Sequence, residues 1–116
     1  RLVLGASSNV IKSNISKYVW DEIQEAMYDV VNTDKGTASM LKNNNAIIRG
    51  KTGTAQTISS SRSDHLLSWF GGYMESDNGL FSLVVLIEDT DSQTKSIAKV
   101  ISKKVFDYIL ESKENE

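Results

Sequence analysis

The chain has no cysteine and no proline, and a single histidine, among its 116 residues. Without cysteine there is no disulfide framework, no thiolate metal site and no cysteine nucleophile. With His65 alone there is no ligand set for a metal, and neither a metal nor another cofactor is expected. Charge of one sign is also lacking: 13 Lys and Arg stand against 15 Asp and Glu, and no block of like charges occurs. That balance argues against a nucleic-acid partner and against a polybasic membrane patch. The longest apolar run, Leu83-Val84-Val85-Leu86-Ile87, is far too short to cross a bilayer, so membrane attachment is expected only through an anchor outside this chain. An initiating methionine is missing too, and a chain opening at Arg1 reads as an excised piece.

What is present fits one domain by length, enough to bury roughly two-thirds of its unfolded surface. After a short apolar stub at residues 1–4 and a turn-like Gly5-Ala6-Ser7-Ser8-Asn9, the apolar residues Val19, Ile23, Ala26, Met27, Val30 and Val31 fall at helical spacing. A helix is predicted over residues 18–31, with Ser16 as its N-cap and Gly36 in a left-handed position after its end. One further helical turn is expected at 37–41, then a loop at 42–45.

The second half changes period. Residues 46–55 read as a strand whose glycines signal close approach of backbone or ligand. A serine-rich connection at 57–64 leads to a strand at 66–74 carrying Trp69, Phe70 and Tyr73, three aromatics expected in the core. Ser76-Asp77-Asn78-Gly79 is a hairpin signal, and the nearly continuous apolar run 80–88 predicts a central strand buried on both faces. A closing helix is expected over 94–111, with Ile97, Ile101, Val105, Tyr108 and Ile109 on its apolar stripe. The order predicts an α+β fold, an antiparallel sheet flanked by helices.

One motif stands far above chance. Given 10 Lys, 7 Thr and 7 Gly in the chain, a Lys-Thr-Gly-Thr run arises at random only ~0.002 times in this length. Lys51 places a positive charge beside the hydroxyls of Thr52 and Thr54, a set suited to charge-assisted binding of a carboxylate. Gly53 lets a peptide lie against the backbone. On an edge strand the free backbone groups can also pair with an extended ligand.

Lys51-Thr52-Gly53-Thr54 followed by Ala55-Gln56 resembles the third active-site motif of penicillin-binding proteins, especially the class B peptidoglycan D,D-transpeptidases. Val30-Val31 before Gly36-Thr37-Ala38, the stretch Trp69-Phe70-Gly71-Gly72-Tyr73, the run 83–87 and the closing helix extend the resemblance over essentially the whole chain. It corresponds to the C-terminal part of the family's transpeptidase domain, so residues 1–116 are expected to be a partial domain whose nucleophile lies upstream. The resemblance implies catalytic roles for Lys51 and Thr54 and substrate-binding roles for Thr52, Gly53 and Thr54, with the Thr54 N–H as one oxyanion-hole donor. It also implies a peptidoglycan stem peptide as substrate, β-lactam antibiotics as inhibitors, the upstream part of the same domain as partner, a role in cell division or cell shape, and an extracytoplasmic location.

The family's other two motifs are Ser-x-x-Lys and Ser-x-Asn. Ser39-Met40-Leu41-Lys42 and Ser92-Gln93-Thr94-Lys95 match the first literally, where chance alone predicts ~1.4 matches. Ser7-Ser8-Asn9 and Ser76-Asp77-Asn78 match the second, where chance predicts ~1.1. Their order and spacing relative to Lys51 are wrong for the family. Of the remaining polar groups, His65, the pairs Glu22/Glu25 and Asp89/Asp91, and Arg62 are read as solvated or flexible. Two alternatives remain: a serine β-lactamase or penicillin-sensing receptor on the same fold, and a non-catalytic fragment that holds a peptide carboxylate.

Overall fold

The computed structural model describes residues 7–56, 65–91 and 93–114, with side chains through residue 112. The stub at 1–4, the connection 57–64 with Arg62, and Ser92 lie outside the described residues.

Helix α1 spans Lys17–Asn32, and the Ser16 hydroxyl accepts from Val19 N at 3.3 Å, so the expected N-cap is in place. Its apolar stripe has the expected period, but only the C-terminal half packs. Val31 is fully buried and Val30 lies against the core, whereas Val19 and Ile23 are exposed. Asn32 locks that end to the sheet, its Nδ2 donating to Tyr28 O and to Ile48 O, each at 2.9 Å. Gly36 follows, and here the expectation of a left-handed conformation is corrected: its φ is not positive. Glycine is required there because a Cβ would sit 2.1 Å from Val30 O. A 3-10 turn, Ser39–Leu41, fills the place of the expected extra turn and buries Leu41.

Strands β1 (Ile47–Gln56), β2 (Leu66–Ser76) and β3 (Gly79–Thr90) form an antiparallel sheet in the order β1-β2-β3. Cross-strand partners share a face, and the register places Thr52 opposite Phe70, and Phe70 opposite Val85. Ile48, Phe70 and Met74 are buried on that face, and Phe81, Leu83, Val85 and Ile87 pack against them. Gly50 makes room for the Phe70 ring, since a Cβ would lie 2.5 Å from its Cζ.

Two sequence expectations fail on the sheet for one reason. The run 80–88 is not a central strand buried twice over. Among the described residues β3 is an edge, β2 is the middle strand, and Leu80, Val84 and Leu86 are exposed. Trp69 is exposed as well, while Phe70 beside it is fully buried. Both faces of this sheet are apolar in sequence, but among the described residues the buried core shared by both helices lies on one face, with Tyr28 of α1 reaching the other at Arg49. Composition reports what a face prefers, not what covers it.

The β2–β3 hairpin turns through Asp77 and Asn78, with Gly79 at positive φ. At the other end the ladder slips. Leu66 pairs with Thr90 and Ser68 with Ile87, so β3 holds an extra residue there, and Asp89 takes φ 60. His65 Nδ1 pairs with this Asp89, and Thr90 Oγ1 donates to Leu66 O at 2.9 Å.

Helix α2, Ile97–Glu114, then crosses the sheet. Its buried line is Ala98, Ser102, Phe106 and Leu110, one residue out of phase with the stripe read from the sequence, and Tyr108 is exposed. Small Ala98 and Ser102 are both fully buried, and a count of large apolar residues passes over them. Phe106 meets Phe70 edge-to-face, with ring centroids 6.3 Å apart. Either phenylalanine cut to alanine would cost about 3–5 kcal/mol.

Candidate functional site

β1 is an outer strand, and its backbone groups on the open side can be identified from their partners. Ile48 O accepts from Asn32 Nδ2, and Thr52 O accepts from the Lys51 ammonium. In an antiparallel ladder the outward-facing residues alternate. Thr54, two residues beyond Thr52, therefore also turns its N–H and C=O to the open edge.

The side chains alternate too. Thr52 and Thr54 share the face of Phe70 and Ser68, while Lys51 and Gly53 lie on the face of Trp69. Lys51 overcomes this separation by curling round the edge to reach Thr52 O. Its charge thus arrives where the hydroxyls and free amides are. A Cβ on Gly53 would lie 3.5 Å from Trp69 Cβ, ordinary contact, so no packing demand fixes glycine at this position.

These four residues line a cleft of ≈ 410 Å³ shared with Thr37, Ser68, Trp69, Lys95, Ser96 and Lys99. Three lysines face it and no carboxylate does, so an anion is the ligand its electrostatics favour. Thr37 and Thr52 are hydrogen-bonded through their hydroxyls at 2.8 Å, and Lys99 Nζ donates to Thr37 O at 2.7 Å.

The floor of the cleft is built by the start of α2. Buried Ser68 Oγ accepts from Ala98 N at 3.1 Å, satisfying an amide that the helix itself cannot. Ahead of it, Asp91 Oδ1 accepts from Gln93 N at 2.8 Å, Thr94 N at 2.9 Å and Thr94 Oγ1 at 3.0 Å. The Thr94 N–H bond, then those from Gln93 N–H and the Thr94 hydroxyl, hold the carboxyl below its ordinary value. Asp89 and Asp91 are therefore not merely solvated: one pairs with His65 and the other shapes the turn that presents Lys95.

The remaining sequence candidates are scattered. Lys42 lines a second groove with Tyr28, Asn43 and Glu75, at the far end of β1 from the cleft. Ser76-Asp77-Asn78 is the β2–β3 turn, and Ser7-Ser8-Asn9 is exposed chain ahead of α1. Of the Ser92 to Lys95 match, Lys95 reaches the cleft. Glu22 and Glu25 are solvent-exposed on α1, as expected. Among the described residues no group of His, Asp or Glu is placed to hold a metal.

Thr37, Ser68, Lys95 and Lys99 were not singled out as site residues in the sequence. Lys95 had entered only as the end of a chance-level motif match, and Thr37 only as the middle of the Gly36-Thr37-Ala38 segment. No curated protein and no solved structure matches the chain. A family model, that of the penicillin binding protein transpeptidase domain, matches residues 6–110. With that match covering nearly all of its length, the chain belongs to the penicillin-binding protein transpeptidase domain family.

Proposed function

We propose that this chain is the substrate-holding wall of a peptidoglycan D,D-transpeptidase, the C-terminal segment of a domain whose nucleophilic serine lies in an upstream part. The observation that carries the reading is the position of Lys51-Thr52-Gly53-Thr54 on an open sheet edge, in a cleft with three lysines and no carboxylate. In this reading the Thr52 and Thr54 hydroxyls and the Lys51 charge hold the terminal carboxylate of a stem peptide. The outward N–H of Thr54 is one of two donors to the oxyanion that forms when the serine attacks the penultimate D-Ala carbonyl. That attack expels D-Ala and leaves an acyl-enzyme, which an amine of a neighbouring strand then resolves into a cross-link. A β-lactam forms the same acyl bond. The work is done outside the cytoplasmic membrane, where the substrate lies.

Lys42 lines the groove at the far end of β1 and Ser76 sits at the opposite end of the sheet, so neither of those motif matches reaches the cleft. Two serines do line it: Ser68, whose buried hydroxyl is engaged by Ala98 N, and Ser96, which with Lys99 makes a further literal Ser-x-x-Lys match. The upstream nucleophile therefore rests on the order of the family's motifs, in which the serine precedes Lys-Thr-Gly. Fluorescent penicillin, applied to this chain alone and together with the upstream part of the domain, tests the reading. Labelling is expected only when both parts are present. Labelling of this chain alone would overturn the upstream nucleophile, and none in the combined preparation would overturn the transpeptidase reading.

A further inference from the structure

We infer that Thr37 is a positioning residue for Thr52, and that Lys99 holds Thr37 to that task. The inference rests on the carboxylate-binding reading of the cleft and adds to it the means by which Thr52 is made a donor.

A hydroxyl has one proton to give and two lone pairs to receive with. Thr37 and Thr52 share one hydrogen bond at 2.8 Å, so only one of them spends its proton on the other. If Thr52 gives its proton to Thr37, it presents lone pairs to the cleft and repels a carboxylate. If Thr37 gives, the Thr52 proton is free for the ligand. Each threonine has an ammonium at its own carbonyl, Lys99 at Thr37 O at 2.7 Å and Lys51 at Thr52 O, so the cations alone do not choose the donor. A carboxylate in the cleft does: it takes the Thr52 proton, and Lys99 holds Thr37 where its hydroxyl can give its own proton to Thr52 in exchange. Lys51 and Lys95 at the same cleft favour the ligand that this orientation serves.

The scaffold around Thr37 fixes it from both sides. Gly36 has no space for a side chain against Val30 O, Ala38 is fully buried, and Ala38 N donates to Val30 O at 3.1 Å. The end of α1 thus pins the backbone before and after Thr37, and α2 supplies Lys99. The short Gly36-Thr37-Ala38 segment acquires a specific purpose: two small residues anchor a threonine aimed at the binding strand.

The test is an NMR titration of the chain combined with the upstream part of its domain, with N-acetyl-D-alanyl-D-alanine and, separately, with its C-terminal amide. The wild-type chain is expected to bind the acid in preference to the amide. Thr37→Val, close in shape but without a hydroxyl, is expected to weaken acid binding ~tenfold, the scale of one charge-assisted hydrogen bond, and to leave amide binding unchanged. Thr37→Ser is expected to restore the preference, which a purely structural role for the methyl-bearing side chain would not allow. Lys99→Met is expected to lower the preference in the wild-type chain and to have little further effect in Thr37→Val. A Thr37→Val chain that keeps the full acid preference overturns the inference alone. A wild-type chain that does not distinguish acid from amide overturns the carboxylate reading of the cleft, and this inference with it.

Discussion

Ser68, in the middle strand, accepts a hydrogen bond from the Ala98 amide of α2 at 3.1 Å, so the sheet itself caps the helix that bears Lys99. Thr54 is the cross-strand partner of the same serine. Strand, helix start and cleft therefore share one buried hydroxyl.

Ser68→Ala leaves the Ala98 amide buried without a partner and should cost about 1–3 kcal/mol. Chemical denaturation is the measurement. The midpoint should fall with an unchanged m-value, because the loss is local to the folded state. Ser68→Thr, which retains the hydroxyl, should recover part of it.

The two glycines of β1 should answer substitution in opposite ways. Gly50→Ala drives a methyl into the Phe70 ring at 2.5 Å and should destabilise by about 1–3 kcal/mol. Gly53→Ala meets only Trp69 Cβ at 3.5 Å, so its effect on stability should stay within about 0.5 kcal/mol. It should instead impair binding of an acyl-D-Ala-D-Ala peptide, because Gly53 and Trp69 both line the cleft and the added methyl narrows it on the Trp69 side. Thermal melts of the two variants beside peptide titrations separate packing from binding.

The sequence made these positions conspicuous without sorting them. Lys51, Thr52, Gly53 and Thr54 were legible because a rare run of residue types is local information, and the three strands because alternation and turn signals are local too. Three features were not legible, for physical reasons. The stripe of α2 lies one residue from its apparent phase because two of its buried positions, Ala98 and Ser102, are small residues that carry little apolar signal. The position of β3 at an edge depends on which elements pack against it. Lys99 meets Thr37 across a separation of 62 residues, and no spacing rule links the two.

Acid should loosen the approach to α2. The Asp91 carboxyl is held below its ordinary value of 3.8 by bonds that exist only in the folded chain. A carboxyl with a depressed folded value contributes stability that is complete above the unfolded value and is lost as pH falls through the folded one. Asp91→Asn keeps an acceptor oxygen but removes the titration. The difference in melting temperature between wild type and Asp91→Asn should be constant near neutrality and shrink below about pH 4, the unfolded carboxylate range. A difference that stays constant to pH 2 would show that the Asp91 charge contributes nothing to the turn.

Arg49 should prove a stitch between α1 and the sheet. Its guanidinium pairs with Glu75 and lies 5.9 Å from the Tyr28 ring centroid and 5.5 Å from that of Tyr73. The hydrogen bond to Glu75 holds its pKa above the usual arginine value, so the charge is permanent. Arg49→Met keeps the stem and drops the cation–π contacts. It should cost about 0.5–1 kcal/mol in thermal denaturation, with Arg49→Ala costing more.

The strand order also bears on how this protein behaves in a concentrated solution. β3 offers twelve residues of outer edge, with Leu80 and Val84 respectively 66% and 70% exposed, and an edge of that length and character attracts another strand. Growth along that direction leads away from β1, because β2 lies between them. A strand added at β3 would consequently lie on the opposite border of the sheet from the cleft. A clouded sample can still hold accessible binding sites, and dilution should alter particle size without altering the affinity measured per chain.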